Sequence, residues 1–382
     1  MSILHLACNA ATRPSRILKE SATAIRSGIA REVRIIARAA PGHSESEFLA
    51  PGVRIDRVQL RLAGLPRRGP LQILKLLEWQ QRATALGVRA RPSLVQAHGL
   101  CTLATALRIG RTVGCPVVYD AHELETEQGQ SAWRVPFDRI EERRLIRRPD
   151  AMLCVSDSIA DWYVERYGIE RPTVVRNVPD VRLQLRGVDR AILRRRFHIA
   201  DDALVFIYQG ALSHGRRIEQ LIRVFNRAGP TRHLVLMGYG ELEEIVRAAA
   251  AQYENVHFHP AVVPTEVLKV TAGADIGICG GENVCLSYFY SLPNKLFEYL
   301  AAGLPVMVPR WPEMTRVVER SACGWVVDES DEAWLAAVSG VAAHDLEALR
   351  ARAEGAADAF SWQAEERGLL SVYERLLRGT ST

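Results

Sequence analysis

The stretch Ser291–Val306, with the sequence SLPNKLFEYLAAGLPV, decides the fold class. Pro293 stands where the first turn of a helix tolerates proline, and Gly303 suits the position just after a helix ends. The apolar residues that follow Pro305 have the character of a buried strand. The stretch therefore predicts a helix followed by a strand, which is the repeating element of parallel α/β sheets.

The same alternation of short β-branched runs and amphipathic, helix-length segments fills the rest of the chain. The predicted strands of the first half are Ile3–Cys8, Glu32–Ala37, Leu94–His98, Val117–Asp120, Ala151–Val155 and Thr173–Arg176. Those of the second half are Leu204–Gln209, His233–Met237, Val256–Phe258, Ile276–Cys279, Pro305–Val308 and Trp325–Val327. A dozen strands are too many for one ordinary doubly wound sheet, so we expect two sheets of about six strands each.

A boundary between two domains is expected at Arg176–Asp180, where a strand ends in the turn sequence RNVPD. A chain of 382 residues is long enough for two domains. We predict an α/β protein with two Rossmann-like, doubly wound parallel-sheet domains, residues 1–177 and 178–358. The segment 359–382 is expected to form a helix that packs back on the first domain.

Composition narrows the class of protein. Hydrophobic residues make up 48% of the chain and charged residues 24%, which is typical of a soluble protein. No apolar run reaches the roughly 20 residues of a membrane span, and the N-terminus resembles a buried strand more than a signal peptide. The seven cysteines form no Cys-x-x-Cys pair, which indicates free thiols and predicts a cytoplasmic protein.

The positive charge is concentrated in the first half. Residues 1–177 carry 27 Lys and Arg against 18 Asp and Glu, a net charge of +9, and the remainder carries −4. This asymmetry predicts an anionic partner such as a phospholipid surface or a lipid phosphate, with a functionless arginine-rich surface as the equal alternative. We predict no nucleic-acid partner.

The helix predicted within Ser291–Val306 has the features of an anion site. Its N-terminus would present the backbone N–H groups around Leu292 and Asn294, and Lys295 would add a positive charge. Glu298 follows about one turn later, where a carboxylate can accept hydrogen bonds from the hydroxyls of a ribose.

A second candidate site is the strand-to-helix loop YQGALSHGRR, at Tyr208–Arg217. Gly210 would let the backbone approach an anion closely, and Ser213 would supply a donor. Arg216, acting alone or with Arg217, would supply a guanidinium suited to diphosphate oxygens. By itself this pattern is equally typical of a loop without a ligand.

Two histidines end predicted strands of the first half, at the sheet edge where ligands bind to parallel sheets. His98 lies in QAHG, and His122 lies in YDAHE beside Asp120 and Glu123. Each histidine is a candidate contact for a substrate or a satisfied structural residue. No His, Asp and Glu residues have the spacing of a metal site, so none is predicted.

Together these motifs resemble the retaining GT-B glycosyltransferases of the family-4 type, the glycosyl transferases group 1. The specific part of the likeness is PNKLFEYLAAGLP, and the QGALSHGR loop, the RNVP hinge, the YDAHE strand end and the helix SRILKE at Ser15–Glu20 are similar to family patterns as well. The resemblance implies two domains facing a cleft. It implies transfer of a hexose-type sugar, without metal or cofactor, from a nucleotide diphosphate to a saccharide or lipid-linked acceptor in cell-surface polysaccharide or glycoconjugate synthesis. The nucleotide could be UDP, GDP or dTDP.

The resemblance also implies roles for individual residues. Arg216 and the backbone near Leu292–Lys295 would hold the diphosphate, Glu298 the ribose, and Phe258–Val262 the base. The catalytic residues would be His122, Arg216, Lys295 and Glu298. Donor-binding residues would be Gly210, Ser213, Arg216, Leu292, Asn294, Lys295 and Glu298, and the acceptor or sugar side would hold Arg16, His98, Glu123 and Tyr290.

Two departures from the family pattern keep alternatives open. Tyr290 stands where the family often has the first acid of a Glu-x7-Glu pair, and Ala211 stands where many members have an arginine. With retention, the leaving phosphate would take the acceptor proton; with inversion, His122 or Glu123 would have to act as base. A sugar-nucleotide epimerase and a non-catalytic nucleotide-sugar-binding subunit are the other readings of the same residues.

The segment Arg61–Arg91 mixes basic residues with apolar ones, as interfacial helices do. Its basic residues include Arg67, Arg68, Lys75, Arg82, Arg89 and Arg91, around Leu71, Ile73, Leu74, Leu76, Leu77 and Trp79. This composition raises peripheral docking at the inner membrane face as an alternative to a helix packed on its own sheet.

Overall fold

The computed structural model describes residues 1–11, 15–64, 71–128, 135–180 and 188–378. They form two compact units: Met1–Arg176 with the segment from Glu365 onward, and Asn177–Ala364. The chain thus passes to the second unit one residue before the predicted boundary, and the second unit ends at Ala364, after the predicted residue 358. Within the described residues, no helix has both the length and the apolarity that crossing a bilayer requires.

The first unit is built on an eight-stranded sheet. Its strands are β1 Ser2–Ala7, β2 Glu32–Arg38, β3 Ser46–Ala50, β4 Val53–Val58, β5 Leu94–His98, β6 Val117–Ala121, β7 Ala151–Cys154 and β8 Thr173–Val174. Its helices are α1 Ser15–Arg26, α2 Gln72–Ala90, α3 Leu100–Val113, α4 Val135–Leu145 and α5 Asp157–Tyr167. The strand order is β3-β4-β2-β1-β5-β6-β7-β8, and every neighbouring pair is parallel except β3–β4.

The second unit is built on a six-stranded parallel sheet in the order β11-β10-β9-β12-β13-β14. The strands are β9 Leu204–Ala211, β10 Arg232–Tyr239, β11 Val256–Pro260, β12 Ile276–Ile278, β13 Val306–Pro309 and β14 Gly324–Val327. The helices are α6 Ile192–Phe197, α7 Ile218–Arg227, α8 Glu243–Gln252, α9 Pro264–Thr271, α10 Leu286–Phe289, α11 Asn294–Ala301, α12 Pro312–Ser321, α13 Asp331–Gly340 and α14 Leu346–Ala359.

The prediction of about six strands in each sheet is wrong for the first unit. Strands β3 and β4 form an antiparallel pair at one edge of its sheet. The side chains of β4 alternate between apolar and charged, since Val53 and Ile55 are buried and Arg54 and Asp56 are partly exposed. This period of two indicates a strand with one face more exposed to solvent than the other. It differs from the continuous apolar runs of central parallel strands.

The last helix, α15 (Trp362–Arg378), contributes its residues from Glu365 onward to the first unit. The Oη of Tyr373 donates to Oε1 of Gln96, on β5, at 2.5 Å. Near its start, the carboxylate of Glu365 accepts from the backbone N–H of Arg176 at 2.7 Å. These contacts join the C-terminal segment to the first unit through two buried side chains, those of Glu365 and Tyr373.

Candidate functional site

The loop after β9 lies at the carboxyl edge of the second sheet, where parallel sheets bind ligands. Gly210, at the end of β9, has a φ of +128° and is exposed. A Cβ on this residue would lie 3.2 Å from Nζ of Lys295. On the neighbouring strand β10, a Cβ on Gly238 would lie only 1.8 Å from the carbonyl oxygen of Gly210. The two glycines let the strand ends and the lysine approach one another without side chains between them.

Lys295, in the first turn of α11, is the central cation of this edge. Its Nζ lies 3.7 Å from the ring centre of Tyr208, and it forms no hydrogen bond or ion pair with another described residue. Burial lowers its pKa from 10.5 to about 7, and the charge of Arg216 acts in the same direction. A half-buried ammonium without an anion beside it is costly, so the site favours a negatively charged ligand.

Arg216 stands close enough to Lys295 for their charges to repel. Its guanidinium carbon lies 4.7 Å from the ring centre of Tyr288, and no described carboxylate lies within ion-pair distance of it. The first backbone N–H groups of α11 have no acceptors inside the helix. Two cations and a helix N-terminus therefore share one sheet edge, and this combination binds phosphate groups.

The side chain of Glu298 is positioned by a residue of strand β9. Its carboxylate accepts a hydrogen bond from the side-chain amide of Gln209, on β9. The next residue, Tyr299, accepts from the backbone N–H of Gln209 at 3.0 Å and donates to the carbonyl of Ile278 at 3.1 Å. The helix α11 is thus fixed to β9 and β12, and the Glu298 carboxylate stands about one turn after Lys295.

Arg217 is not available to a ligand, which contradicts the hypothesis that it assists Arg216. Only 2% of the residue is exposed, and its guanidinium donates to the carbonyls of Gly281 and Glu329, each at 2.8 Å. It also lies 5.5 Å from the ring centre of Trp334. Arg217 ties the loop after β12 to the loop after β14, so Arg216 is left as the arginine that can bind an anion.

The other residues predicted for the donor lie around this edge with varied exposure. Ser213 is half-buried, and its carbonyl accepts from the N–H of Arg216 at 3.3 Å. Leu292 is buried, and Asn294 is exposed at the start of α11. Tyr290 is half-buried, directly follows the short helix α10, and has its ring 5.6 Å from that of Phe289.

At the edge of the first sheet, Asp120 is the centre of a buried polar network. Arg16 donates to both of its carboxylate oxygens at 2.8 Å, and also to the carbonyl of Val175 at 2.7 Å. Burial alone would raise the pKa of Asp120, but the Arg16 charge and the histidine hydrogen bonds hold it well below 3.8. Because Arg16 is 5% exposed and fully engaged, the structure contradicts its prediction as an acceptor contact.

Three histidines continue this network across the sheet. Nδ1 of His5 lies 2.7 Å from Nε2 of His98, whose own Nδ1 lies 3.1 Å from both Asp120 and Nε2 of His122. Burial lowers the pKa of His98 to about 4, so this ring is neutral near pH 7. The His122 side chain is 38% exposed, whereas that of His98 is 3% exposed. Of the two predicted histidines, only His122 is therefore placed to meet a substrate.

A second carboxylate, Glu20, lies beneath the histidines and is fully buried. It accepts from Nε2 of Gln96 at 2.9 Å and lies 3.7 Å from His98. Burial and the neighbouring charge of Asp120 raise its pKa well above 4.5. The two carboxyl groups therefore differ: Arg16 and the histidines favour the ionised form of Asp120, whereas burial favours the protonated form of Glu20, although Arg16 Nε also lies 3.1 Å from it.

These residues form two groups with the composition of a metal site, His5 with Glu20 and His98, and His98 with Asp120 and His122. Sequence spacing did not reveal them, because the members come from helix α1, from strands β1, β5 and β6, and from the residue after β6. Their separations of 2.7–3.1 Å between His5, His98 and His122 are those of hydrogen bonds. Since Arg16 already occupies both oxygens of Asp120, the hydrogen-bonded arrangement accounts for the second group without a metal.

Four members of this network were not predicted from the sequence: His5, Glu20, Gln96 and Tyr373. Each is a buried residue with a polar group, and His5 and Gln96 stand between buried apolar residues of β1 and β5. A polar residue inside a buried strand is itself a signal, since such groups need partners. Glu123, which was predicted, is exposed and accepts from the amide of Gln128.

Comparison with protein families gives two matches along the chain. Residues 25–183 match the family described as Glycosyltransferase Family 4, and residues 203–344 match Glycosyl transferases group 1. The chain is 26% identical over 308 residues to the D-inositol 3-phosphate glycosyltransferase of Segniliparus rotundus, covering 76% of this chain and 67% of that protein. It is 26% identical over 258 residues to the putative colanic acid biosynthesis glycosyltransferase WcaL of Salmonella typhimurium, covering 62% of this chain and 59% of that protein.

Solved structures show the same fold. Sucrose-phosphate synthase from Thermosynechococcus elongatus has a TM-score of 0.81 at 14% identity, covering 99% of this chain and 100% of that one. Anabaena HepE in complex with UDP-glucose has a TM-score of 0.73 at 15% identity, covering 98% and 100%. The two parallel-sheet units and the two family matches identify this chain as a member of the group 1 glycosyltransferases with the GT-B fold.

Proposed function

We propose that this glycosyltransferase moves a hexose-type sugar from a nucleoside diphosphate to a saccharide or lipid-linked acceptor, without a metal ion and with retention of the anomer. One observation carries the donor part of the proposal. The Lys295 ammonium is half-buried beside Arg216, Gly210 and the N-terminus of α11, and it has no anionic partner in the described part of the chain. This arrangement suits two linked phosphoryl groups.

The chemistry follows from where negative charge develops. As the bond between the anomeric carbon and the distal phosphate oxygen breaks, charge builds on the leaving diphosphate. This charge is met by Arg216, Lys295 and the N–H groups of α11. These groups stabilise the transition state more than the ground state, and this difference lowers the barrier. The acceptor oxygen bonds to the anomeric carbon, and its proton passes to the leaving phosphate. The step therefore needs neither a metal nor a further base.

The relatives support the class of product and of donor. WcaL is named for colanic acid biosynthesis, and a further relative from Erwinia amylovora is named for amylovoran biosynthesis. HepE has been crystallised with UDP, glucose and UDP-glucose. We therefore propose a role in cell-surface polysaccharide or glycoconjugate synthesis, with UDP as the first nucleotide to test.

The test begins with thermal shift in UDP, GDP and dTDP, because a bound ligand raises stability by mass action. The protein is then incubated with sugars of the preferred nucleotide and with candidate acceptors. Transfer to an acceptor supports the proposal. An isomerised donor would show an epimerase instead, and binding without turnover would show a non-catalytic subunit.

We expect the affinity for UDP to fall as the pH rises above about 7. Free Lys295 loses its proton there, whereas bound phosphate raises the pKa of this group, so binding takes up a proton. The dissociation constant should rise by up to about tenfold per pH unit between the free and bound pKa values. Calorimetric titrations at several pH values measure this slope.

The matched variant is Lys295→Arg, which keeps its charge at every accessible pH. Its affinity should be flat over the same range. An equal slope in the variant and the wild type would place the titrating group elsewhere, and a flat wild type would contradict the low pKa of Lys295.

A further inference from the structure

Five exposed arginines lie on α3, on α4 and just after α4 in the first unit, and they are here called the arginine surface. Its members are Arg108, Arg111, Arg143, Arg144 and Arg148. None of them forms an ion pair with a residue in the described part of the chain. Helix α3 contains no carboxylate at all, so nothing on that helix can neutralise its arginines.

The lack of partners is not general among the arginines of this protein. Exposed arginines on other elements are paired with carboxylates, for example Arg26 with Glu366, Arg223 with Asp331 and Arg310 with Asp328. Other exposed arginines, among them Arg31, Arg91 and Arg320, also lack ion pairs within the described residues, but the arginine surface gathers three unpaired arginines around one groove. Such a surface attracts anions over a distance of about a Debye length.

The carboxylates of α4 do not cancel this charge. Glu142 is buried and accepts from Tyr167 at 2.5 Å and from Thr126 at 3.0 Å. Asp138 and Glu141 have interactions of their own. The positive charge of the arginine surface is therefore available to an external partner.

The surface is also apolar. A groove of about 350 Å³ runs between α3 and α4, with Ala104, Leu107 and Leu145 in its lining and three of the arginines at its sides. Earlier on α4, Phe137 is 61% exposed and Ile140 is 51% exposed. Residues 137, 140 and 144 are three or four positions apart, so Arg144 shares a helix face with the phenylalanine and the isoleucine.

We propose that the arginine surface docks the first unit on a membrane that carries anionic lipid headgroups. Guanidinium groups bind lipid phosphates, and exposed aromatic and aliphatic side chains between them enter the boundary between headgroups and acyl chains. Each arginine near an anionic leaflet adds attraction that a neutral surface does not offer. Membrane docking by this surface is a property separate from sugar transfer and independent of which donor is used.

The segment predicted from sequence for this role, Arg61–Arg91, is less suitable in the structure. On α2, Lys75 is 2% exposed and donates to the carbonyl of Ala63, and Trp79 is 1% exposed. Arg82 is paired with Glu78 at 3.0 Å. Arg67 and Arg68 lie outside the described residues. Helix α2 exposes leucines but has little charge to display, so the structure moves the docking hypothesis to α3 and α4.

The test is co-sedimentation with vesicles of equimolar phosphatidylglycerol and phosphatidylcholine, and with vesicles of phosphatidylcholine alone, at low salt. The wild type should bind only the anionic vesicles. The triple variant Arg108→Ala, Arg111→Ala, Arg148→Ala should lower the partition coefficient by on the order of 100-fold, given the contribution of each arginine. Phe137→Ser with Ile140→Ser should weaken binding at high salt as well, because apolar insertion is not screened.

The matched control is Arg223→Ala, Arg227→Ala, Arg247→Ala, which removes three exposed arginines from the second unit. It changes the net charge by the same amount and should leave vesicle binding nearly unchanged. Equal losses in the two triple variants would show attraction by net charge alone and would overturn the proposal. So would a wild type that does not sediment with anionic vesicles. UDP binding, measured in parallel, reports separately on the donor site.

Discussion

Replacing Arg216 and Lys295 together by methionine should raise the dissociation constant for the bound nucleoside diphosphate by about 10²–10⁴, since each charged hydrogen bond contributes about 1.5–3 kcal/mol. The rate of sugar transfer should fall by at least about 10³, because the same groups meet the charge that develops on the leaving phosphate. The reason lies in the geometry, where neither cation has another anion in the described residues to bind. Titration calorimetry and single-turnover assays measure the two effects.

The control is a second double variant of the same unit, Arg223→Met with Lys269→Met. These side chains are exposed and paired with Asp331 and Glu266. The control removes the same charge but no ligand contact, so its affinity and turnover should stay near those of the wild type. If the Arg216 and Lys295 variant behaved like this control, the phosphate site would have to lie elsewhere.

Replacing Arg16 by methionine should lower the free energy of unfolding of the first unit by about 3–5 kcal/mol, because it leaves the buried Asp120 carboxylate without its cation. Urea unfolding measures the loss, and hydrogen exchange of the β5 and β6 amides assigns it to this unit. The depressed pKa of Asp120 gives stability above pH 3.8 that is lost at lower pH. In the variant that pKa rises, so protonation relieves the buried charge, and the deficit should shrink as the pH falls.

The matched substitution is Arg26→Met, on the same helix α1. Its side chain is 47% exposed and pairs with Glu366. An exposed ion pair of this kind contributes about 0–1 kcal/mol, so this variant should remain near wild-type stability. Equal losses for the two variants would mean that burial of the Arg16 pair is not what stabilises the edge of the sheet.

The fold could be predicted from the sequence because central parallel strands are continuous apolar runs. Strand β5 begins and ends at the predicted residues, Leu94 and His98, and the two central strands of the second sheet, β9 and β12, were found. The edge pair β3–β4 was missed because polar and charged residues interrupt its apolar ones. Strands near the edge of a sheet often have one face exposed to solvent, so polar residues alternate with apolar ones. Such a pattern is easily mistaken for a loop when only continuous apolar runs are sought.

The site was predictable in one unit and less so in the other. Lys295, Glu298 and Gly210 stand in short motifs whose local geometry follows from the helix N-terminus and the strand end. The partners of Asp120 come from 104 residues away in Arg16, and Gln96 is joined to Tyr373 across 277 residues. Motifs report local chemistry, and only the folded topology brings such distant side chains together.

The hydrogen bond from His122 to Asp120 decides what kind of chemical group the ring can recognise. An ionised carboxylate only accepts, so Nε2 of His122 carries the hydrogen in the 3.0 Å contact. In the neutral ring, Nδ1 is then a bare lone pair. Such a nitrogen can accept a hydrogen bond from a hydroxyl group. It has no hydrogen to donate to a ketone or carboxylate oxygen.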